Sequence, residues 1–230
     1  VNNEDLTPCR PFFYEKLHER IEGLSMAKAI LEINYWCAEE ATYRTTDDRT
    51  ASAECVYRSA YGRCGEESTF AVSVFRSVGI PARQVYVPLW SHCDDNHAWV
   101  EVWSDGMWKF LGACEPEEVL NKGWFTNASS RAMMVHSRWL LPVRPKEELV
   151  GRTGMALVAN QLKTYAKTTN VEVTVLNADG TPASGAEIRF EVLNYAEFGE
   201  IACARTDAKG KKVLETGFGT LQVTAYKDGA

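Results

Sequence analysis

The 230-residue sequence lacks features that define several broad classes of protein. It contains no apolar run of roughly 18 residues, which a transmembrane helix requires. It also lacks the basic stripe of a nucleic-acid-binding protein, and its formal net charge is −6. We therefore predict no membrane span in this chain and no nucleic-acid partner. The hydrophobic fraction of 45% and the charged fraction of 24% are those of a globular protein with one or two domains.

Cysteine is present, but in no pattern that indicates a metal site or a disulfide scaffold. The chain has seven cysteines, so at least one stays unpaired if the others pair within the chain. The absence of a CxxC pair argues against a structural zinc ribbon. The cysteine density is too low for a small disulfide-stapled protein. The count leaves the redox compartment open, and we predict no metal site.

The first part of the chain is predicted to be helical. Apolar residues recur at helical spacing between residues 11 and 43, with Ser25 placed to cap the second of two helices. The polar stretch TTDDRTASAE, residues 45–54, predicts a loop. A further helix is predicted to follow Cys64 and to end at the glycine and proline of GIPAR, residues 79–83.

Apolar and polar residues then alternate, as they do in strands. This alternation predicts strands over residues 84–89 and 97–103, and a third strand, MWKFLGAC, after the turn signal at 104–106. Another strand-like region covers residues 131–143. Helices followed by an antiparallel sheet predict an α+β fold for the first domain, residues 1–160.

The pattern of apolar and polar residues changes again near residue 160. Short alternating runs are split by the turn signals ADG, ASG, AKG and GFG, which is typical of an all-β sandwich. We therefore predict a second, smaller domain over residues 161–230. The sequence given stops at KDGA, a turn signal with no strand after it. We expect the sandwich to be truncated here, or further domains of the same polypeptide to follow.

Cys64 is the first candidate for chemistry, in the segment YGRCGEESTFAVSVFRSVGIPAR. The N-terminus of a helix carries unpaired N–H groups and a partial positive charge, both of which favour thiolate over thiol. The same N–H groups can hold the oxyanion that forms during acyl transfer. Without further context, a cysteine in this position is more commonly a small core residue.

His97 is the candidate base among the four histidines. It opens the predicted strand HAWVEVW, at a strand end from which a side chain can project into a cleft. A cysteine at a helix start and a histidine on a sheet strand are the arrangement of papain-like thiol enzymes. Without further context, a lone strand histidine is more commonly structural.

Several motifs in order resemble the core of the transglutaminase-like superfamily, over roughly residues 30–125. They are RCGE, a helix, GIPAR, a strand, NHAWVEV and then Trp108. This superfamily includes transglutaminases, microbial thiol proteases and peptide N-glycanases. The resemblance implies a papain-like helix-plus-antiparallel-sheet core, with Cys64 as the nucleophile and His97 as the general base. It implies no cofactor.

The third member of the expected triad departs from the family pattern. The family usually has an aspartate four residues after the tryptophan of the third strand, and here that position is Gly112. Glu115 is the nearest replacement, if the strand bulges at Gly112 or turns after it. The Cys-Glu pair at residues 114–115 also resembles one that follows the aspartate of peptide N-glycanases. The alternative is that Glu115 only caps the turn that follows.

These observations favour a cysteine-dependent amide hydrolase or acyl transferase, with a thiol protease or amidase preferred. The alternatives are peptide N-glycanase-like deglycosylation and protein cross-linking by a transglutaminase. A different class of function is a catalytically degenerate binding module, which Gly112 would explain. The expected partner is a protein, peptide or glycopeptide substrate.

The second domain carries no catalytic pattern. It resembles the carboxypeptidase regulatory-like, immunoglobulin-like modules of secreted bacterial proteins, whose usual role is that of a spacer or docking module. By analogy, the combination implies a bacterial protein in the periplasm or outside the cell, and an anchor to the cell surface is compatible with it.

Overall fold

The computed structural model describes residues 8–45 and 50–227, which divide into two compact units. The first unit contains the residues up to Val85 together with His97–Phe125. The second contains Tyr86–Asn96 and the residues from Thr126 onward. Residues 46–49 of the predicted loop and the last three residues of KDGA lie outside the described residues. The domain boundary at residue 160 stays a prediction.

The described part of the first unit begins with helices and ends with strands. In chain order its elements are α1 (Cys9–Ile21), α2 (Met26–Glu40), β1 (Thr42–Tyr43), α3 (Ala53–Ser59), β2 (Tyr61–Gly62), α4 (Cys64–Ser77), β3 (Ala82–Val87), β4 (His97–Ser104) and β5 (Met107–Leu111). The last two residues of β3 already count with the second unit. This mixture of helices and antiparallel strands confirms the predicted α+β class.

Most of the predicted elements in this unit are present. Ser25 is the N-cap residue of α2, although its side chain makes no capping hydrogen bond. The predicted loop over residues 45–54 is wrong at its end, because α3 begins at Ala53. The Ser52 side chain accepts a hydrogen bond from the Cys55 N–H (3.3 Å), and an N-cap serine of this kind starts a helix in an otherwise polar stretch.

Helix α4 lies at the centre of the first unit. Every residue from Glu66 to Phe75 is buried, which makes α4 a core helix rather than an amphipathic surface helix. Helices α1, α2 and α3 all pack against it. The Phe70 ring of α4 lies 5.6 Å from Phe13 and 6.0 Å from Trp36, so aromatic side chains fill the space between these helices.

The second unit is built mainly of strands. Its described elements are α5 (Thr126–Ser129), β6 (His136–Leu140), β7 (Leu149–Thr153), β8 (Ala156–Asn160), a 3₁₀ turn (Leu162–Thr164), β9 (Thr169–Thr174), β10 (Glu187–Asn194), β11 (Glu197–Arg205), β12 (Lys211–Thr216) and β13 (Gln222–Tyr226). Strand β8 pairs with both β6 and β7, β10 pairs with both β11 and β13, and β9 pairs with β12, all antiparallel.

The alternation in the second part of the sequence corresponds to strand faces. Along β10, the residues Ile188, Phe190, Val192 and Asn194 are buried, and the residues between them are more exposed. The strand expected over residues 131–143 is shorter than predicted and covers His136–Leu140. The immunoglobulin-like identity of this region stays a prediction. Of the helices that the structure describes, none is long and apolar enough to cross a membrane.

Candidate active site

Cys64 is the first residue of α4, as the sequence predicts. The preceding residue, Arg63, is the N-cap, and its backbone N–H donates to the Glu66 carboxylate (3.0 Å). Glu66 also accepts a hydrogen bond from the N–H of Ala51 (2.8 Å), which fixes the first turn of the helix. The half-buried Cys64 thiol therefore lies at a rigid helix N-terminus, where the backbone favours its thiolate.

The direction of α4 relative to β3 follows from two side-chain hydrogen bonds. Gln84 of β3 donates to the carbonyl of Gly65 in the first turn of α4 (2.9 Å). Arg76, near the end of α4, donates to the carbonyl of Ala82 at the start of β3 (3.0 Å). Helix α4 therefore runs antiparallel to β3.

Strand β4 also runs antiparallel to β3. The Trp103 N–H, near the end of β4, donates to the carbonyl of Pro81, just before β3 (2.8 Å). Because α4 packs against β4, Cys64 and His97 open their two elements at the same end of the unit. Strand β5 is antiparallel to β4, with Val100 opposite Leu111, so the chain after β5 also emerges at this end.

His97 lies in an aromatic pocket and is only 6% exposed. Its ring centroid is 4.6 Å from that of Trp124, 5.0 Å from that of Phe125 and 5.8 Å from that of Trp99. Trp99 and Phe125 are fully buried, whereas Trp124 is 63% exposed. Trp124 is therefore the wall of this pocket that faces solvent.

Glu115 occupies the space that a side chain at position 112 would need. The chain turns after β5, with Gly112 and Glu115 bridged and Cys114 in the left-handed region (φ 57°). A Cβ atom built on Gly112 would collide with the Glu115 Oε2 atom and would lie 2.9 Å from its Cβ atom. Only glycine at position 112 leaves room for this carboxylate. Gly112 and the acid at position 115 therefore depend on each other.

Trp124 contacts both Glu115 and His97. Its indole N–H donates a hydrogen bond to Glu115 Oε1 (2.9 Å), while its ring lies against the imidazole. Glu115 Oε2 is buried and accepts no hydrogen bond from any residue that the structure describes. Burial raises the pKa of Glu115, and the hydrogen bond from Trp124 opposes this shift.

Asn34 of α2 holds the turn that carries Glu115. Its amide group donates to the carbonyls of Gly112 (2.9 Å) and Glu115 (3.3 Å), and its Oδ1 atom accepts from the Cys114 N–H (3.1 Å). Asn34 is 1% exposed. Sequence reasoning missed this residue, although one signal was available: it is a lone amide among the apolar residues on the buried face of α2.

Glu67 is a second acid that sequence reasoning did not assign to the site. It lies one helical turn after Cys64 and is 2% exposed. Burial, followed by the negative charges of Glu115 and Glu66, raises the pKa of Glu67 to about 8. A proton on Glu67 at neutral pH removes one charge from this carboxylate cluster, which leaves Glu115 freer to ionise.

The seven cysteines all lie within the described residues, and none of them forms a disulfide bond. Cys114 makes a side-chain hydrogen bond with the buried Cys37, and this contact, together with burial, raises the pKa of Cys114. Cys114 is therefore a poor thiolate despite its place beside Glu115. Within residues 8–45 and 50–227, no three His, Cys, Asp or Glu side chains are grouped so that they could hold a metal ion.

Residues 15–113 match the family model of the transglutaminase-like superfamily. This segment includes Cys64 and His97 and ends two residues before Glu115. It forms a transglutaminase-like domain within the chain. A search of curated proteins finds no match to the chain.

Three solved structures are among those similar to this chain. A proposed cysteine protease from Cytophaga hutchinsonii has 16% identity over 69% of this chain and 58% of its own, with a TM-score of 0.42. A proposed protease from Parabacteroides distasonis has 18% identity over 56% of this chain and 26% of its own, with a TM-score of 0.42. Red sea bream transglutaminase has 12% identity over 93% of this chain and 52% of its own, with a TM-score of 0.38. The chain thus spans less than two thirds of each.

Proposed function

We propose that the chain is a cysteine-dependent amide hydrolase or acyl transferase, with Cys64 as nucleophile, His97 as base and Glu115 as the acid that orients the base. The observation that carries the proposal is the placement of the Glu115 carboxylate. It takes up the space beside Gly112, where the family pattern expects an aspartate, and it shares Trp124 with His97.

In this mechanism, the Cys64 sulfur attacks the carbonyl carbon of an amide, and His97 holds the thiol proton. The N–H groups at the start of α4 stabilise the oxyanion of the tetrahedral intermediate. His97 then gives the proton to the departing amine as the C–N bond breaks, which leaves a thioester on Cys64. Water attacks the thioester while His97 takes a proton from this water. The C–S bond then breaks, the carboxylic acid leaves, and His97 returns the proton to the Cys64 thiolate.

Glu115 acts through His97 in this proposal. A triad acid holds the imidazole in the required tautomer and stabilises the imidazolium that forms. Trp124 fixes Glu115 Oε1, so Oε2 is the atom that would accept the hydrogen bond from the imidazole. Catalytic hydrogen bonds are often long without substrate and tighten in the complex.

This geometry favours an enzyme over a degenerate binding module. The binding alternative was motivated by the missing acid at Gly112, and an acid side chain fills the adjoining space after all. We propose water as the acyl acceptor and a protein, peptide or glycopeptide as substrate, with a location in the periplasm or outside the cell. If the protein releases a free glycan from a denatured glycoprotein, the proposed activity changes from protease to peptide N-glycanase. If it incorporates an amine into a glutamine donor, the proposed activity changes to that of a transglutaminase.

The direct test is the pH dependence of iodoacetamide alkylation at Cys64, measured by peptide mass spectrometry in the wild type and in His97→Ala. The exposed Cys55 thiol in the same sample is the internal reference. We expect Cys64 to titrate well below the ordinary thiol value of about 8.5, and His97→Ala to raise that midpoint. If Cys64 titrates like Cys55 in both proteins, the two residues form no thiolate–imidazolium pair and the proposed function is wrong.

A further inference from the structure

The segment that leads into His97 is a closed loop, residues 88–96. Its backbone closes on itself, since the Trp90 N–H donates to the carbonyl of Asp95 and the Asp95 N–H donates to the carbonyl of Cys93 (both 3.0 Å). The Trp90 side chain is only 3% exposed. The last residue of the loop, Asn96, is followed directly by His97.

The amide of Asn194 is the hydrogen-bond centre of this loop. From one Nδ2 atom it donates to the carbonyls of Trp90 (2.9 Å), Cys93 (2.9 Å) and Asp95 (3.2 Å). Asn194 is 4% exposed, and its Oδ1 atom is buried without a hydrogen-bond partner among the described residues. A buried acceptor without a hydrogen-bond partner costs free energy. The position of Asn194 is therefore explained by the hydrogen bonds that its amide nitrogen donates to the three loop carbonyls.

A strained turn presents Asn194 to the loop. Asn194 is the last residue of β10 and pairs with Glu197, so the hairpin turn contains only Tyr195 and Ala196. Both have positive φ angles, 50° and 61°, which a two-residue turn of this hand requires and which glycine or asparagine usually supplies. The Tyr195 N–H donates to the Asp94 carboxylate (2.7 Å), a second link between the hairpin and the loop.

We propose that Asn194 is a positioning residue for His97, which it acts on through the backbone of residues 90–96. This inference rests on the proposed role of His97 as the base. The loop and the hairpin that holds it both belong to the second unit, and His97 follows the loop directly in the chain.

The test uses Asn194→Asp in the full chain. Aspartate has the same shape, but its carboxylate has no N–H to donate and faces three carbonyl oxygens. We expect the exchange of the Trp90 and Asp95 amide protons to rise at least about tenfold, in line with several lost hydrogen bonds. We also expect the pH midpoint of Cys64 alkylation to move toward that of His97→Ala, and the imidazole NMR signals of His97 to shift.

Two further variants keep the test decisive. Asn177→Asp makes the same substitution at an exposed turn of the same unit and should change none of these readouts. Asp94→Ala removes the exposed link to Tyr195 and should shift the same readouts less, even if Asn194→Asp fails to fold. If the loop amides lose protection while the His97 signals and the alkylation profile stay fixed, Asn194 is only structural and the proposal is overturned.

The NMR readout also separates this proposal from the proposed function. If wild-type Cys64 titrates as an ordinary thiol, the thiolate–imidazolium pair fails whatever Asn194 does. The His97 signals, assigned by their absence in His97→Ala, then still show whether Asn194 positions the imidazole. Unchanged His97 signals in both Asn194→Asp and Asp94→Ala would overturn the positioning role, whether or not Cys64 is a nucleophile.

Discussion

Two acids near the same pair of strands, the buried Glu101 and the half-buried Glu115, have opposite environments. Glu101, in the middle of β4, is 1% exposed and binds the Arg83 guanidinium (2.6 Å), which in turn lies 4.2 Å from the Trp108 ring. Glu115, just after β5, has a neutral indole N–H as its donor and lies close enough to Glu67 for their charges to repel. The first acid is neutralised by a cation and serves the fold. The second is left with an unsatisfied oxygen, which is typical of a functional site.

The largest effect is expected from breaking the Arg83–Glu101 pair. Glu101→Ala leaves a cation that is 8% exposed without its carboxylate, so we expect a loss of about 3–5 kcal/mol in the free energy of unfolding. Urea denaturation measures it. The control is Glu54→Ala, which removes an ion pair with Arg58 on the surface and should cost less than about 1 kcal/mol. Equal losses in the two variants would contradict the contrast between buried and exposed pairs.

The next effect concerns the room that Gly112 gives to Glu115. Gly112→Ala places a methyl group against the carboxylate, and we expect a loss of about 2 kcal/mol in stability together with a changed pH profile for Cys64 alkylation. Gly112→Asp should be worse, since two acids then compete for one space.

A double variant sharpens this prediction. Gly112→Asp combined with Glu115→Gly moves the acid to the position that the family pattern expects and frees the space it needs. We expect the double variant to recover stability and the alkylation profile relative to Gly112→Asp alone. If the effects of the two substitutions on stability and on the alkylation profile simply add, the Glu115 carboxylate and Gly112 do not depend on each other.

Glu67 should make the stability of the protein depend on pH. Its folded-state pKa of about 8 lies above the ordinary value of 4.5, so the folded state holds a proton that the unfolded chain has lost between these values. The stabilisation is complete below about pH 4.5 and is lost as the pH rises to about 8. Relative to Glu67→Gln, the wild type should therefore lose about 4 kcal/mol over this window.

Urea denaturation from pH 5 to pH 8 measures this slope. Glu118→Gln, an exposed acid in the segment after Glu115, is the matched control and should leave the slope unchanged. Parallel curves for the wild type and Glu67→Gln would show that Glu67 is ionised throughout, and its proton could then not shield Glu115.

The sequence predicts the placement of the candidate site residues to the extent that this placement depends on local structure. The positions of Cys64 at a helix start and of His97 at a strand start follow from periodicity and turn signals nearby. The role of Glu115 stayed open, because it depends on how the chain turns after β5. The sequence does not predict Asn34, because the turn that it binds is distant in the chain. It does not predict Trp124, because its partner Glu115 lies in a turn, where no periodicity marks the contact.

The smallest effect is expected from Trp124→Phe, which separates the two contacts of this side chain. Phenylalanine keeps an aromatic ring against His97 but cannot donate to Glu115 Oε1. Loss of that donor raises the pKa of Glu115 further. The rise of Cys64 alkylation on the acidic side of its pH profile should therefore move to higher pH by about half a unit. Trp103→Phe, at a partly exposed tryptophan near the other end of β4, is the control and should leave the profile in place. If Trp124→Phe behaves like Trp103→Phe, then Glu115 does not act on the Cys64–His97 pair, and its half-buried carboxylate serves only the turn.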